Sequence, residues 1–406
     1  MPKEIIIKTN LGQLKLKIIL LYNLLRLSFA KIIKIKNITK NLTSGYIAMS
    51  APMESTKEDV NSQNSQNSTF EVKKKGKSLP SGLIIKLGKF VWTTMWQIMM
   101  SKLAPSNNKG EYIRPSSQFR NSINVEENNL YYPESGRYRL YVGLGCPWAH
   151  RTLVVRALIG LEDAVEVSIV YPSPNQGIWV LNNPEENCRT VPELYQVAQP
   201  GYQGRCTVPI LWDKKTSTIV NNESAEIIVM LNSQLNQFAN NPQVDLYPEE
   251  LKEEIELWNE KIYHAVNNGV YRCGFAQTQE AYNFCCDELF TVLDEIDKNL
   301  ANKRYLCGEQ LTLADVRLFT TLFRFDIVYY GLFKCNRRRI QDYANLGAYL
   351  RDLYQLKGVA QTCDLQSIKQ DYYGNLFPLN PGGIIPSGPD ISNLLEPHHR
   401  EKIGNS

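Results

Sequence analysis

The chain has 406 residues, with 45 Lys+Arg against 41 Asp+Glu and a formal net charge of +4. Nine of the basic residues and one acid, Glu4, fall in residues 1–50, so the remaining 356 carry 36 basic and 40 acidic groups and sum to −4. That balance excludes a general phosphate-binding surface, and nucleic acid is not an expected partner. The length suits two domains of common size plus an extension.

Residues 1–80 read as a basic, then polar, disordered extension. Their longest apolar stretch, Ile18 to Leu25, already holds Asn23 and is far short of the ~20 residues of a membrane span. Asn23 and Arg26 also spoil a secretory signal ending at Ser28-Phe29-Ala30. Three readings of the acid-poor leader stay open: an organelle transit peptide, a start set too far upstream, since Met49 and Met53 are both candidate starts, or a dispensable tail. Cytoplasmic placement is the expectation, with organellar import through the extension as the alternative. Residues 54–69 are low in complexity, and Lys73-Lys74-Lys75-Gly76-Lys77 reads as a solvated linker cluster.

Residues 81–136 are expected to extend the catalytic domain with one helix and a loop. The apolar stretch 82–104 is interrupted by Lys86, Lys89 and Lys102, which predicts an amphipathic or core-docking helix, with membrane-surface binding as the alternative. Beyond the Pro-, Ser- and Arg-rich loop, Tyr138–Gly143 reads as a strand, Pro147–Leu161 as a helix and Val165–Tyr171 as a second strand. A long irregular stretch is expected next. Val208–Trp212 and Thr218–Val220 then form a hairpin about Asp213-Lys214-Lys215, and Ser224–Leu231 starts a helix. From Pro248 the pattern is helical, at 248–268, 277–300, 312–330 and 340–356. The expected class is α/β plus all-α: a thioredoxin-like domain over 137–235, a helical domain over 245–375, and a tail over 376–406.

Nine cysteines, odd in number and without a CxxC pair, predict a reducing compartment and free thiols. The four histidines do not fall at zinc spacings, so no metal is expected.

The most informative stretch is Gly143-Leu-Gly145-Cys146-Pro147-Trp148-Ala149-His150-Arg151. The glycines permit a tight turn after the strand, and Pro147 suits a first helical position. Cys146 then faces free N–H groups and the positive end of the helix dipole, which stabilise a thiolate and are expected to lower its pKa. Position 149 holds Ala149 where a dithiol enzyme needs cysteine, so thiol exchange must use an external thiol. A buried structural cysteine is the competing reading.

A small thiol needs places for its peptide, carboxylates and amine. Thr207-Val208-Pro209-Ile210 looks like a cis-proline loop, whose Val208 backbone offers an edge to an extended peptide. Ser224, at a helix start, can hold a carboxylate, and Glu223 an ammonium. Each alone is ambiguous, as ordinary strand entry or helix cap. The Thr312-x-x-Asp315 pattern reads as a capping box that serves folding.

Taken together, these motifs resemble the glutathione transferases, and specifically the Xi class, the glutathionyl-hydroquinone reductases. The likeness runs from about Glu111 to Pro389 and includes Arg114-Pro-Ser-Ser-Gln-Phe119-Arg120, the Cys146 motif, Arg205-Cys-Thr-Val-Pro, Asn267-Asn-Gly-Val-Tyr271 and Arg324-Phe-Asp326. It implies a glutathione transferase fold and a homodimer, with glutathione as co-substrate, aromatic quinol conjugates as substrates and no bound cofactor. It further implies Cys146 as nucleophile, with Trp179, Arg205, Cys206, Thr207, Val208, Glu223 and Ser224 around glutathione. Tyr271 would be the proton donor. Tyr329 and Tyr372 would lower the cysteine pKa and line the quinol pocket, with Tyr330 and Tyr373 as their neighbours in register. Cys206 and Cys273 stand where aliphatic and small residues are usual. The alternatives are an omega-like thiol transferase or dehydroascorbate reductase, and a non-catalytic binding module.

Overall fold

The computed structural model describes residues 81–403 except 127–128 and 174–175. The extension expected to be disordered, with the readings of its leader, lies outside the described residues. The chain divides into two units, Met1–Gln97 and Ile98–Ser406. The described part of the first is a stretch of α1 (Ser81–Leu103). The helix expected here is present, and its end within the second unit carries the buried Met100.

The second unit is built around a six-stranded sheet in the order β4-β3-β2-β1-β5-β6. β1 (Tyr138–Val142) and β2 (Val165–Pro172) run parallel, which requires the crossover that α2 (Pro147–Ile159) supplies. β5 (Ile210–Asp213) is antiparallel to β1, and β6 (Thr218–Asn221) to β5. These four strands are the expected thioredoxin-like core. Their chain-side anchor is the buried pair Arg137–Asp213, with Nη2 to Oδ2 at 2.6 Å and Nε to Oδ1 at 2.8 Å. Burial pushes the Asp213 carboxyl up, but Arg137, Thr216 and the Lys215 N–H together hold it below the usual range.

The stretch expected to be irregular is not. It forms β3 (Trp179–Glu185), β4 (Cys188–Thr190) and α3 (Val191–Ala198), with β3 antiparallel to β2 at Val170–Leu181. Asn182, Asn183 and Pro184 hide the strand, because they are poor strand formers. The helix did carry a signal: Thr190 and Glu193 form a reciprocal capping box before it, with Pro at its first turn. The described residues of the loop 105–136 form no helix or long strand. Its part near Phe119 runs along β6, with Asn121 N donating to Val220 O at 3.1 Å and Asn222 N to Phe119 O at 3.1 Å.

The helical half follows α4 (Ser224–Ser233): α5 (Lys252–Ile262), α6 (Gly269–Gly274), α7 (Gln279–Asn299), α8 (Leu313–Arg324), α9 (Leu346–Gln355) and α10 (Leu365–Lys369). Three π turns occur in this half, at Tyr263–Asn267 and Phe325–Tyr329 within expected helical stretches, and at Gln370–Gly374. The last, with α10, lies where no element was expected. Residues 340–356 open on a 3₁₀ turn, Ile340–Asp342, before α9 begins. Asp315 caps α8 as expected and also accepts from Tyr349 Oη at 2.7 Å and Leu306 N at 2.9 Å, a structural assignment. α2 packs between α4 and α8, so the helix that begins at Cys146 joins the two halves.

Candidate active site

Cys146 is the N-cap of α2, with extended backbone (φ −75°, ψ 119°) and Pro147 following. Its side chain makes no capping hydrogen bond of ordinary geometry at the helix start. Sγ lies 3.6 Å from Val208 O, and the Val208–Pro209 peptide is cis. The turn is closed by Cys146 N to Gly143 O at 3.0 Å.

The glycines serve a purpose other than the one expected. Neither Gly143 nor Gly145 has a positive φ. A Cβ on Gly143 would fall 2.5 Å from the Trp179 ring, and one on Gly145 would fall 2.0 Å from Asp371 Oδ2. They are small because neighbours press on the turn from two sides.

The helical half grips this turn through its backbone. Arg324, fully buried at the end of α8, donates from Nε to Gly145 O and from Nη2 to Leu144 O, both at 2.9 Å. It also meets His150 Nδ1 at 2.9 Å, and His150 Nε2 meets Thr362 Oγ1 at 2.8 Å. Asp371 accepts the Gly145 N–H at 3.1 Å, and burial pushes its carboxyl up to about 6.

The Cys146 thiol also departs from expectation. Burial pushes it up, against the downward pull of the Ala149 N–H, of the Arg114 and Arg324 guanidiniums and of the Trp148 N–H. The helix terminus acts in the expected direction, and desolvation outweighs it. Arg114 is the residue most easily overlooked here. It sits 4.0 Å over the Trp148 ring, brought there by the loop along β6.

On one side of the turn lies a cavity of about 370 Å³, within the usual range for small-molecule sites. Arg205, Thr207, Val208, Glu223 and Ser224 line it, and so does Arg114. Glu223 caps α4, accepting from Ala225 N at 3.2 Å, and takes Ser117 Oγ at 2.9 Å. Ser224 is buried, and its Oγ accepts from Arg151 Nη1 at 3.4 Å. Tyr195 sets the loop before the cis-proline: its Oη donates to Thr207 O at 2.9 Å and receives Thr207 N at 3.2 Å. Cys206 is half-buried and does not line the cavity. Trp179 lies against Gly143 instead of in the cavity wall.

On the other side the helical half supplies phenols. Tyr271 Oη meets Tyr372 Oη at 2.5 Å, and Tyr372 Oη meets Tyr329 Oη at 3.0 Å. Phe275 and Phe333 complete the aromatic wall, and Tyr271 stacks on Trp148. Their neighbours lie elsewhere: Tyr373 Oη donates to Ile327 O at 3.2 Å, and Tyr330 is partly exposed. Burial, the neighbouring Tyr329 and the Cys146 charge together hold Tyr271 well above the ordinary phenol range. Burial first, then Tyr271 and Tyr329, does the same to Tyr372. The sulfur is therefore within electrostatic reach of a phenol cluster that stays protonated at neutral pH. The pull on the thiol comes from amides and guanidiniums, while the phenols bond chiefly to one another.

Cys273 lies away from this site, buried with Cys286 and Cys335 as close neighbours. Among the described residues, no group of three or more His, Cys, Asp and Glu is placed to hold a metal ion.

Comparison with known proteins agrees with this geometry. Residues 145–234 match the family model for the glutathione S-transferase N-terminal domain, and residues 279–352 match that for the C-terminal domain. The chain is 42% identical over 306 residues to the glutathionyl-hydroquinone reductase PcpF of Sphingobium chlorophenolicum, covering 74% of this chain and 94% of that one. Among solved structures, it resembles the Xi glutathione transferase of Phanerochaete chrysosporium (TM-score 0.68, 44% identity, 72% and 96% of the two chains). It also resembles the glutathione-bound YqjG of Escherichia coli K-12 (TM-score 0.66, 44% identity, 70% and 96%).

Proposed function

The chain belongs to the Xi class of the glutathione transferases, and from that premise we propose that it reduces glutathionyl-hydroquinones to hydroquinones at the expense of glutathione. The observation that carries the reading is the hydroxyl chain Tyr271–Tyr372–Tyr329 beside Cys146, a supply of protons next to a nucleophile.

In this reading the tripeptide of the conjugate lies in the cavity of Arg205, Thr207 and Val208, paired with the Val208 backbone. Glu223 faces its ammonium, and the α4 terminus its carboxylate. Trp179 presses on the turn at Gly143. The Cys146 thiolate attacks the glutathionyl sulfur, and an S–S bond forms as the carbon–sulfur bond to the ring breaks. The electron pair of that bond goes to the ring carbon, which takes a proton relayed from Tyr271. The quinol leaves with hydrogen in place of sulfur. A second glutathione, as thiolate, then attacks the Cys146–glutathione disulfide, releasing oxidised glutathione and the cysteine. Across both steps one conjugate and one glutathione give one quinol and one disulfide.

Arg114 and Arg324 contribute charge to the thiolate at the turn, offsetting part of its desolvation. Tyr329 and Tyr372 hold the Tyr271 hydroxyl and line the space for a planar ring. The test is turnover of a glutathionyl-hydroquinone with glutathione by the purified chain, followed as quinol and disulfide formed in equal amounts. Release of quinol without the disulfide, or no turnover at all, would sink the proposal.

A further inference from the structure

The guanidinium of Arg114 stands without a polar partner where the two sides of the Cys146 site meet. Arg114 is half-buried, and among the described residues its side chain makes no hydrogen bond or ion pair. It lines the cavity that holds Glu223 and Ser224. It also lies 4.0 Å over the Trp148 ring, and that ring stacks on Tyr271. Its charge reaches the Cys146 sulfur as well. Five donors in a fixed plane, half-shielded from water, gain most from an oxygen that a ligand brings.

The neighbouring cations are committed elsewhere. Arg324 directs its donors to Gly145 O, Leu144 O, Thr320 O and His150. Arg151 directs its own to Asn267 Oδ1 at 2.6 Å and Ser224 Oγ at 3.4 Å. Arg205 belongs to the loop before the cis-proline, where the tripeptide backbone would pair. Arg114 is the cation set against Trp148 on the way to the phenols.

The chemistry of the conjugate names the oxygen. A thiol that adds to a quinone bonds to a ring carbon beside one that carries oxygen. The resulting quinol conjugate therefore holds a hydroxyl next to its thioether. With the sulfur at Cys146 and the tripeptide in the cavity, a cation whose field reaches the sulfur also reaches that hydroxyl. The phenols serve the ring carbon, and Glu223 and Ser224 serve the ends of the tripeptide, so this oxygen has no other partner. Resting on the reduction reading above, we propose that Arg114 is a specificity-determining residue: it binds the ring oxygen beside the thioether and so selects conjugates that carry a hydroxyl there. A ring held at this oxygen has its carbon–sulfur bond fixed against Cys146.

The test reads binding, apart from turnover. In a Cys146→Ser background, which cannot form the mixed disulfide, calorimetry compares S-(2-hydroxyphenyl)glutathione with S-phenylglutathione. The hydroxyl is expected to tighten binding by about tenfold or more, as one hydrogen bond to a charged group would. Arg114→Met in that background should erase the preference by weakening the hydroxyl ligand alone. Arg114→Lys keeps the charge but loses the planar fork, and should retain only part of it. Unchanged circular dichroism and unchanged affinity for S-phenylglutathione separate lost recognition from lost folding. The proposal is overturned by no preference in the parent, by a preference that survives Arg114→Met, or by equal weakening of both ligands in a folded variant. Should Arg114→Met not fold, a full preference in Arg114→Lys overturns it instead. The reduction reading is decided separately: a chain with the hydroxyl preference but no turnover of a glutathionyl-hydroquinone loses the reaction and keeps Arg114 as the reader of the ring.

Discussion

The two walls of the Cys146 site are made differently. Most of the cavity wall comes from residues close in sequence, a cis-proline turn and a helix cap within 202–224, joined by residues 114–118 and Trp148. The aromatic wall comes from three phenols 43 to 101 residues apart, Tyr271 just past one π turn and Tyr329 and Tyr372 within two others. Binding is thus assigned to local backbone geometry, and proton supply to long-range packing. Breaking one wall should leave the other working.

The largest effect should come from the point the two walls share. Cys146→Ser is expected to abolish quinol formation while glutathione still binds, as read by turnover beside calorimetry. Tyr271→Phe attacks the aromatic wall alone. It should slow quinol release by about 10²–10⁴-fold, with glutathione affinity and formation of mixed disulfide from a simple disulfide donor preserved. If affinity fell equally, the separation of the walls would be wrong. Glu223→Gln attacks the cavity wall, and a roughly tenfold rise in KM for glutathione with little change in kcat is expected, the worth of one charged hydrogen bond.

The smallest effect concerns the turn itself. Asp371 has a carboxyl raised to about 6 from a usual value near 4. A raised carboxyl favours the folded state when protonated, so its contribution is full at low pH and lost as pH rises through about 6. Asp371→Asn keeps an acceptor for the Gly145 N–H and removes the ionisation. Denaturant unfolding on either side of pH 6 should show a decline in the wild type that is missing in the variant. Asp213, held low by Arg137, has the opposite sign: its stabilisation is present at neutral pH and fades as the solution becomes strongly acidic.

The same contrast explains what could be read in advance. Cys146, Val208–Pro209 and Glu223-Ser224 were legible because strand, turn and cap follow one another within a few residues. The phenols were not legible from pattern. A π turn shifts the helical period by one residue, so Tyr329 and Tyr372 fall off the stripe that would have aligned them, and only the family resemblance brought them together. Arg114 was visible in a motif but without a role, because its partner Trp148 lies across a loop that no periodicity describes. The lowered thiol pKa was misjudged for another reason. A helix terminus can be read from sequence, but the desolvation that opposes it depends on everything packed around the sulfur.

The grip of Arg324 on two carbonyls of the cysteine turn bears on how such a protein can be taken apart. Its nucleophile belongs to one half by chain position and to the other by hydrogen bonding. A thioredoxin-like half cut free or grafted onto a different helical partner would carry two bare carbonyls under its reactive sulfur. The halves of this fold are therefore not interchangeable modules, and any exchange between relatives must carry the buried arginine along with the cysteine.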